Sequence, residues 1–310
     1  MSIKFTEESY KNFGKCIVMD NGICTLKITV DVGPRIIYYA LNGMENMLKE
    51  DINRDTVRDS DELHNFFGTG ENWYIYGGHR LWTSPEAWPD SYTPDNSPVE
   101  YEISGNTVVL KPELRTKVGE GHTMTVTLSE TSADVTIGHK VTNIYDRELT
   151  LAPWCLTVMD KGGVEVVPQC RKKTGLLSNR RLVIWEYTDV NDERYYLSND
   201  YITLKQTDKA QSFKVGFNNE DGWGAYLNKG QLFVKRFDFD EGAEYPDYGC
   251  NYETFTDPFI MEIETLGALK TLKPDESIEH EERWSLKACE DSFDARNNEE
   301  IDAFVKKNIL

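Results

Sequence analysis

The sequence is short of basic residues and has no long apolar run. Its 310 residues include 34 lysines and arginines against 53 aspartates and glutamates, which gives a net charge of −19 at pH 7. Such an acidic chain repels phosphate backbones and anionic lipids, so we expect neither nucleic acid nor a membrane as a partner. No segment approaches the ~18 apolar residues of a transmembrane helix. The opening MSIKFTEESYKNFGK lacks the apolar stretch of a signal peptide, which predicts a cytoplasmic protein.

Cysteine is also sparse, and its six residues are scattered: Cys16, Cys24, Cys155, Cys170, Cys250 and Cys289. No pair has the C-x-x-C spacing of a zinc site or a redox-active disulfide. In a reducing compartment the simplest expectation is six reduced thiols that pack as small buried hydrophobes. The acidic loops match no EF-hand spacing, so the sequence assigns no metal site and leaves calcium binding by an acidic loop open.

Helical periodicity is scarce, and short runs of alternating apolar and polar residues dominate the chain. Segments such as ICTLKITVDVG, HTMTVTLSE and ADVTIGHKVTN are typical of strands, and clusters of Gly, Asn, Asp and Pro separate them. Gly105 and Asn106, between two such runs, predict a tight hairpin. Many short strands without intervening helices indicate one all-β domain over residues 1–310. We predict a large antiparallel β-sandwich, with a barrel as the alternative.

Two segments depart from the strand pattern. The stretch 49–72 is charged and irregular, which predicts a long excursion between strands that could include a helical turn. The C-terminal NNEEIDAFVKKNIL places Ile301, Phe304 and Val305 on one helical face and lysines in the last turns. This pattern predicts a short C-terminal helix.

The chain has five histidines, and His79 stands in an unusual setting. In YGGHRLWTSPE, residues 76–86, it follows two glycines and precedes Arg80 and Trp82. Glycines permit close approach of a backbone, and polar and aromatic clusters on loops often serve binding. We therefore predict these three as site residues. His139 shares a face with apolar residues and is expected to be buried and hydrogen-bonded. Surface positions are expected for His64, His122 and His280.

The segment FIMEIETLGAL carries two carboxylates on one face of an otherwise apolar strand. Side chains alternate along a strand, so Ile260, Glu262 and Glu264 share a face. Burying unpaired carboxylates is costly, so this face either is solvated or lines a cleft. In a cleft, their mutual repulsion would raise one pKa toward the range of a general base. The sequence supports both alternatives equally.

A further polar cluster lies in and after the run QLFVKRFDF. Carboxylate, amide and ammonium groups hydrogen-bond hydroxyls, whereas an aromatic ring stacks against the apolar C–H face of a sugar. The predicted polar ligand-binding residues of this cluster are Lys235, Asp247, Asn251 and Glu253. Trp82 and Trp154 are the predicted stacking platforms.

Taken in order, the segments DVGPRIIYY, YGGHRLW, PDNSPV, LAPWCLTVMDKGG, YPDYGCNYE, MEIETLG and LKPDESIEHEERWSL resemble the galactose mutarotase-like proteins, over residues 15–288. More narrowly, the chain resembles a bacterial branch of that superfamily without a defined substrate. The resemblance implies a β-supersandwich with a carbohydrate site on its concave face. Arg35, within DVGPRIIYY, joins the predicted ligand-binding residues, together with Arg80 and Glu262.

Mutarotases interconvert α- and β-aldoses with an acid–base pair and no cofactor. The base takes the proton of the anomeric hydroxyl, the acid protonates the ring oxygen, and the ring opens and closes from the other face. The resemblance implies an aldose or sugar-phosphate 1-epimerase with Glu264 as base and His79 as acid. Where mutarotases carry their histidine, this chain has Trp154. The alternative is a carbohydrate-binding protein of the same fold without turnover.

Overall fold

The computed structural model describes residues 3–310, which form 23 strands, three helices and one 3-10 turn. The first half of the chain contributes β1 (Lys4–Ser9), β2 (Lys15–Asp20), β3 (Cys24–Thr29), β4 (Ile36–Leu41), β5 (Val57–Arg58), α1 (Asp61–Phe67), β6 (Trp73–Tyr74), β7 (Gly78–Ser84), the 3-10 turn (Asp90–Tyr92), β8 (Glu100–Ser104), β9 (Thr107–Lys111), β10 (Glu120–Leu128), β11 (Val135–Asn143) and β12 (Leu149–Asp160). The second half contributes β13 (Val164–Pro168), β14 (Leu182–Ile184), β15 (Tyr195–Leu197), β16 (Tyr201–Lys205), β17 (Phe213–Phe217), β18 (Trp223–Asn228), β19 (Gln231–Phe237), α2 (Pro246–Gly249), β20 (Tyr252–Thr256), β21 (Ile260–Leu266), β22 (Lys270–Leu272), β23 (Ser277–Ala288) and α3 (Asn298–Asn308).

Two antiparallel sheets contain nearly all of these strands. The large sheet has the order β1-β2-β3-β4-β7-β12-β21-β20-β17-β14, and β22 pairs with β12 as its eleventh strand. The second sheet has ten strands in the order β15-β16-β13-β18-β19-β23-β11-β10-β9-β8. Both sheets are open, so the barrel alternative is excluded and the predicted sandwich is confirmed. The predicted hairpin is confirmed as well, because Ser104 pairs with Thr107 across a two-residue turn.

The main core fills the space between the inner faces of the two sheets. Tyr39 of the large sheet meets Phe233 and Trp284 of the second sheet, with ring centroids 6.2 and 5.9 Å away. Aliphatic side chains from alternate positions of both sheets surround these rings. Each large side chain buried in this way contributes roughly 1.5–3 kcal/mol, which drives the two sheets together.

The outer face of the large sheet carries a second apolar layer. Trp154 and Leu156 of β12 pack there with Trp82 of β7, Trp73 of β6 and Leu63 of α1. Leu63 lies in the excursion predicted over 49–72, and α1 is the helical turn predicted there. Trp73 lies in β6, the short strand that follows the excursion. Because both its faces are covered, β12 is buried along almost its whole length.

The two glycines before His79 serve the packing of the backbone. Gly77 and Gly78 have φ values of 97° and 63°, in the region that glycine adopts without strain. A Cβ on Gly78 would lie 2.2 Å from the carbonyl oxygen of Ile36, and one on Gly77 would lie 2.1 Å from that of Lys49. Neighbouring backbone, and not a ligand, occupies the space that these glycines leave.

Helix α3 covers the outer face of the second sheet, which confirms the predicted C-terminal helix. Its buried face, Ile301, Phe304 and Val305, packs against Trp223 and Val234. All six cysteines are buried and unpaired. Among residues 3–310 no helix has the length and apolar character needed to cross a membrane.

Candidate functional site

Strand pairing brings four segments of distant sequence onto the outer face of the large sheet. Arg80 of β7 lies opposite Leu156 of β12, which lies opposite Glu264 of β21. Glu264 in turn lies opposite Glu253 of β20. Residues directly opposite each other in antiparallel strands point to the same face. Arg80, Glu264 and Glu253 therefore form one row across the outer face.

Lys214 of β17 connects two of these carboxyls. Its Nζ lies 2.7 Å from Oε2 of Glu253 and 3.0 Å from Oε2 of Glu264. The indole Nε1 of Trp154 donates to the same Glu264 oxygen at 2.8 Å. The ammonium also stands 4.7 Å from the ring centroids of both Trp154 and Trp185, where cation–π attraction adds to the ion pairs. Lys214 is thus held in one position by two carboxylates and two indoles.

Arg80 and Glu262 form a second buried ion pair on this face. Both terminal nitrogens of Arg80 lie 3.3 Å from Oε1 of Glu262. The guanidinium lies over the indole of Trp82, 4.4 Å from the ring centroid, which fixes its plane. Glu262 and Glu264 are both buried on one face, so the solvated alternative for this strand face is wrong.

A cleft with aromatic walls opens above these ion pairs. It consists of two adjoining cavities of about 560 and 570 Å³. The first, the Glu253 lobe, includes Asp247 and Glu253; the second, the Glu262 lobe, includes Arg80 and Glu262. Eight aromatic side chains line the two lobes: Trp73, Trp82, Trp88, Tyr92, Trp154, Trp185, Tyr187 and Phe255. Such volumes lie within the range of ~300–1,000 Å³ typical of small-molecule sites.

The charges of the cleft floor do not balance when every group is ionised. Three carboxyls, those of Glu253, Glu262 and Glu264, share two cations, Arg80 and Lys214. One retained proton would make the group neutral. Low-dielectric surroundings penalise an uncompensated charge strongly, so a proton on one carboxyl is the expected state near neutral pH.

The pKa shifts of the residues on the cleft floor agree with one retained proton. Burial, the largest effect, raises the pKa of Glu262 to about 7 against the opposing influence of Arg80. Burial likewise raises the pKa of Glu253 to about 8, although Lys214 opposes the rise. Burial alone would lower the pKa of Lys214, but the carboxylates of Glu264 and Glu253 outweigh it and hold the pKa well above its ordinary value. A protonated Glu253 would attract Lys214 less; Glu264, the stronger partner, still keeps it charged.

Several polar atoms in and under the cleft have no partner among residues 3–310. These buried atoms are Nε1 of Trp73, Nε of Arg80, Nε1 of Trp82, Oε1 of Glu253 and Oε1 of Glu264. Buried polar groups in native proteins are nearly always hydrogen-bonded. Donors and acceptors of this kind, next to aromatic rings, suit a ligand that carries hydroxyl groups.

His79 does not reach the cleft, and its predicted convergence with Glu264 is wrong. The side chains of neighbouring strand residues point to opposite faces, so Arg80 faces outward and His79 faces the core. The ring of His79 is fully buried and lies edge-on to Trp284 of the second sheet, 4.9 Å away. The whole thickness of the large sheet separates it from Glu264.

The hydrogen bonds of His79 define neutral tautomers. Nδ1 of His139 must donate to the carbonyl oxygen of His280, 3.0 Å away, so Nε2 of His139 accepts. Nε2 of His79 therefore donates to it at 2.7 Å, and Nδ1 of His79 accepts from Thr157 at 2.8 Å. Burial lowers the pKa of His79 well below its ordinary value. His139 is thus the buried, hydrogen-bonded histidine that the sequence predicted.

Lys235 also points into the core, so its predicted contact with a ligand is wrong. Its Nζ lies 2.8 Å from Oε1 of Glu282, and Trp284 and Thr265 donate to the same carboxylate at 2.8 and 2.5 Å. Within the described chain, His79, His139 and Glu282 are close enough to share a metal, as are Cys155, His280 and Glu282. Both groups rely on Glu282, whose charge Lys235 already compensates, so neither is assigned to a metal.

The remaining predicted residues divide between the cleft and other places. Arg80, Trp82, Trp154, Glu262, Glu253 and Asp247 line the cleft. Glu264 lies on the predicted face but is fully buried beneath Lys214 and Trp154. Asn251 is buried and bonds the backbone of Asn219 through both side-chain atoms, and Arg35 is buried against Asp95 at 2.6 Å. Neither lines the cleft, so their predicted ligand contacts are wrong.

Two histidines expected at the surface are buried instead. His122 pairs with Glu120, with Nε2 and Oε2 2.8 Å apart. His280 faces the core, where its Nε2 donates to Thr265 at 2.9 Å. Polar residues flank both histidines in the sequence, which suggested exposed positions. In the structure those polar neighbours face outward and the histidines face inward.

Sequence reasoning missed Lys214, the cation at the centre of the site. The signal was present in SFKVGFN: Phe213, Val215 and Phe217 form an apolar face, which sends Lys214 to the opposite face. Trp73 and Trp185 were missed because they lie outside long alternating runs, and only the paths of their loops bring them to the cleft.

Comparison with known proteins identifies the fold. No protein-family model matches the sequence, and no curated protein does. Among solved structures, a proposed mutarotase (YeaD) of Salmonella typhimurium superposes with a TM-score of 0.56 at 12% identity, over 93% of this chain and 94% of that one. A galactose mutarotase-like protein of Lactobacillus casei gives 0.53 at 9%, over 88% and 100%.

A TPR-domain containing protein of Parabacteroides distasonis gives a TM-score of 0.58 at 14% identity. The match covers 91% of this chain but only 48% of that protein, so this chain spans about half its length. Together these likenesses confirm the fold inferred from the sequence segments. The chain has the β-sandwich fold of the galactose mutarotase-like structures.

Proposed function

We propose that this chain binds a carbohydrate in the outer-face cleft and acts on it as a mutarotase-like enzyme. The observation that carries the proposal is the composition of the cleft: eight aromatic rings around two buried ion pairs with unpartnered polar atoms. Rings take the C–H faces of a sugar, and the floor groups take its hydroxyls. The proposed activity of the Salmonella protein points to the same class of ligand.

The proton chemistry of mutarotation has suitable groups in this cleft. Anomer exchange needs one group that accepts the proton of the anomeric hydroxyl and one that gives a proton to the ring oxygen. Efficient acid–base groups have pKa values near the working pH. Burial brings the pKa of Glu262 to about 7 and that of Glu253 to about 8. Glu262, ionised beside Arg80, is the proposed base, and protonated Glu253 is the proposed acid.

These roles replace the pair of Glu264 and His79. Glu264 becomes a positioning residue, because its carboxylate holds Lys214 and Trp154 at 3.0 and 2.8 Å. After ring opening the carbonyl carbon rotates, the ring closes from the other face, and both protons return. No cofactor takes part in this sequence of steps.

The test is polarimetry of freshly dissolved α-D-glucose and α-D-galactose with wild type and with Glu262→Gln. Loss of the general base should slow the catalysed change in rotation by roughly 10²- to 10⁴-fold. Sugar affinity, measured by calorimetry, should change little because glutamine keeps the shape and an acceptor. Glu100→Gln, at an exposed position of β8, is the matched control and should leave both readouts unchanged.

A second candidate function is carbohydrate binding without turnover. The observation that favours it is that Lys214 and Trp154 cover Glu264. Neither the carboxylate of Glu264 nor a histidine therefore lines the cleft. Wild type that binds a sugar but accelerates mutarotation of no aldose or aldose phosphate would select this candidate. Wild type that binds no sugar would reject both.

A further inference from the structure

Lys214 contacts one oxygen of the Glu253 carboxyl and leaves the other free. Its Nζ lies 2.7 Å from Oε2 of Glu253, whereas Oε1 has no hydrogen-bond partner within residues 3–310. An ammonium group only donates hydrogen bonds, and the carbonyl oxygen of a protonated carboxyl is its better acceptor. When Glu253 is protonated, Oε2 is therefore the carbonyl oxygen and Oε1 carries the proton. Glu253 lines the cleft, so Oε1 is the oxygen that remains for a ligand.

The position of Lys214 does not depend on Glu253. Its Nζ also lies 3.0 Å from Oε2 of Glu264, which accepts a hydrogen bond from Trp154 as well. The backbone of Lys214 is fixed by Thr188, because its N–H donates to Oγ1 at 2.9 Å and its carbonyl oxygen accepts from that hydroxyl at 2.7 Å. The ammonium therefore stays beside Oε2 whether Glu253 is protonated or ionised.

Lys214 is also the cation that compensates an ionised Glu253. Across the described part of the chain, it alone forms an ion pair with that carboxyl. Burial raises the pKa of Glu253 most, and the neighbouring acids Glu264 and Asp247 raise it further, whereas Lys214 opposes them. The other charged residues that line this lobe are Arg58 and Glu86. Without Lys214, release of the proton would leave a buried carboxylate with no cation in contact.

We propose that Lys214 is the positioning residue for proton release by Glu253: it directs the proton to Oε1 and neutralises the carboxylate at Oε2 as the proton leaves. In the proposed reaction the O–H bond at Oε1 breaks, and its electron pair stays on Glu253. The proton goes to the ring oxygen, which also takes the electron pair of its bond to the anomeric carbon. Glu262 takes the proton of the anomeric hydroxyl, and the electron pair of that O–H bond completes the carbonyl. This inference deepens the proposed function and rests on it for the acceptor of the proton.

Three variants of Lys214 separate its charge from its place in the structure. Lys214→Gln keeps a hydrogen-bond donor without the charge, and Lys214→Arg keeps the charge. Lys214→Met fills the space between the indoles without a donor and serves as a second neutral variant where glutamine disturbs the fold. Thermal unfolding shows which variants are folded.

The first measurement is the pKa of Glu253, followed by carbon-13 NMR of labelled glutamate carboxyls, with Glu253→Gln to identify the signal. In wild type this pKa is about 8. In Lys214→Gln and Lys214→Met it should rise by roughly 1–3 pH units, because the opposite charge that lowers it is gone. In Lys214→Arg it should stay close to the wild-type value.

The second measurement is the pH profile of mutarotation of α-D-glucose, followed by polarimetry. The wild-type kcat should fall as pH rises through about 8, because Glu253 loses the proton that it has to give. In Lys214→Gln this alkaline limb should move upward with the pKa, and the maximal kcat should fall by roughly tenfold or more, because a weaker acid transfers its proton less readily. Lys214→Arg should restore most of both. Lys209→Met, whose ammonium pairs with Asp192 at 3.1 Å outside the cleft, is the matched control and should change neither.

A lysine that only supports the fold gives a different result. Lys214→Gln would then unfold at a lower temperature but keep the wild-type pKa of Glu253 and the wild-type alkaline limb. That outcome would overturn this inference and leave the proposed function intact. Wild type that accelerates no mutarotation would instead reject the proposed function, and the carboxyl titration alone would then decide whether Lys214 controls proton release by Glu253.

Discussion

The ion pair of Lys235 and Glu282 at the centre of the sandwich gives the sharpest test of the structure. Both side chains are fully buried, with Nζ 2.8 Å from Oε1. Lys235→Met would leave the Glu282 carboxylate with two hydrogen-bond donors, Trp284 and Thr265, and no cation. Removing one partner of a buried pair costs about 3–5 kcal/mol, because the other charge stays behind uncompensated. We expect a loss of that size in the free energy of unfolding at pH 7.

The double variant Lys235→Met with Glu282→Gln should recover most of this loss. Glutamine removes the buried charge and still offers an oxygen to one of the two donors. Glu282→Gln alone should be as harmful as Lys235→Met, since it leaves the ammonium with only backbone carbonyls, such as that of Ile263 at 3.0 Å. The coupling energy of the cycle should therefore be about 3 kcal/mol or more.

Urea denaturation, monitored by far-UV circular dichroism, measures this double-mutant cycle. It compares wild type, the two single variants and the double variant. A pH series adds a second readout. Lys235 is the strongest influence that holds the pKa of Glu282 below its ordinary value against burial. In Lys235→Met burial instead raises that pKa, so protonation relieves the buried charge and the deficit should shrink as pH falls. Single variants that cost less than about 1 kcal/mol, or a double variant equal to their sum, would refute the reasoning.

Two further predictions concern the histidines and the glycines. Burial lowers the pKa of His139 and of His280 to about 4 from the ordinary 6.5, so the unfolded chain binds more protons between these values. The stability that these two histidines contribute should be complete above pH 6.5 and fall as pH drops toward 4, by up to about 1.4 kcal/mol per unit for each histidine. Glu253 and Glu262, whose pKa burial raises, act in the opposite direction, so the test compares urea midpoints at pH 7, 6 and 5 between wild type and His139→Gln. An identical pH dependence of the two proteins would contradict the prediction. Gly78→Ala should lower stability by at least about 1–3 kcal/mol, because a Cβ would meet the carbonyl oxygen of Ile36 at 2.2 Å. Thermal unfolding measures it, with Gly105→Ala, which also has positive φ but open space around it, separating clash from backbone strain.

Much of this protein follows from the alternation of side chains along the chain. Period-two runs predict the strands, and Ile301, Phe304 and Val305 predict the C-terminal helix. The same alternation places Glu262 and Glu264 on one face of their strand. These inferences succeed because local geometry decides them: a strand turns its side chains by half a revolution per residue, whatever lies around it.

What alternation leaves undecided is which face of a strand meets the core. His79 and Arg80 are neighbours, so only one of them could face the cleft, and the sequence favours neither. Because β12 and β7 are buried on both faces, neither strand has a polar face that would mark the side away from the core. Only the second sheet, packed against His79 through His139 and Trp284, decides the matter.

The chemistry of the site depends even more on tertiary structure. Lys214 stands 39 residues before Glu253 and 50 before Glu264 in the sequence, and strand pairing brings all three together. Charge interactions depend on distance and on the surrounding dielectric, and the chain fixes neither before it folds. The sequence by itself therefore determined a mutarotase-like sandwich with carboxylates on one strand face. The packed sheets determined that burial raises the pKa values of Glu253 and Glu262 into the neutral range, where three carboxyls with two cations retain one proton.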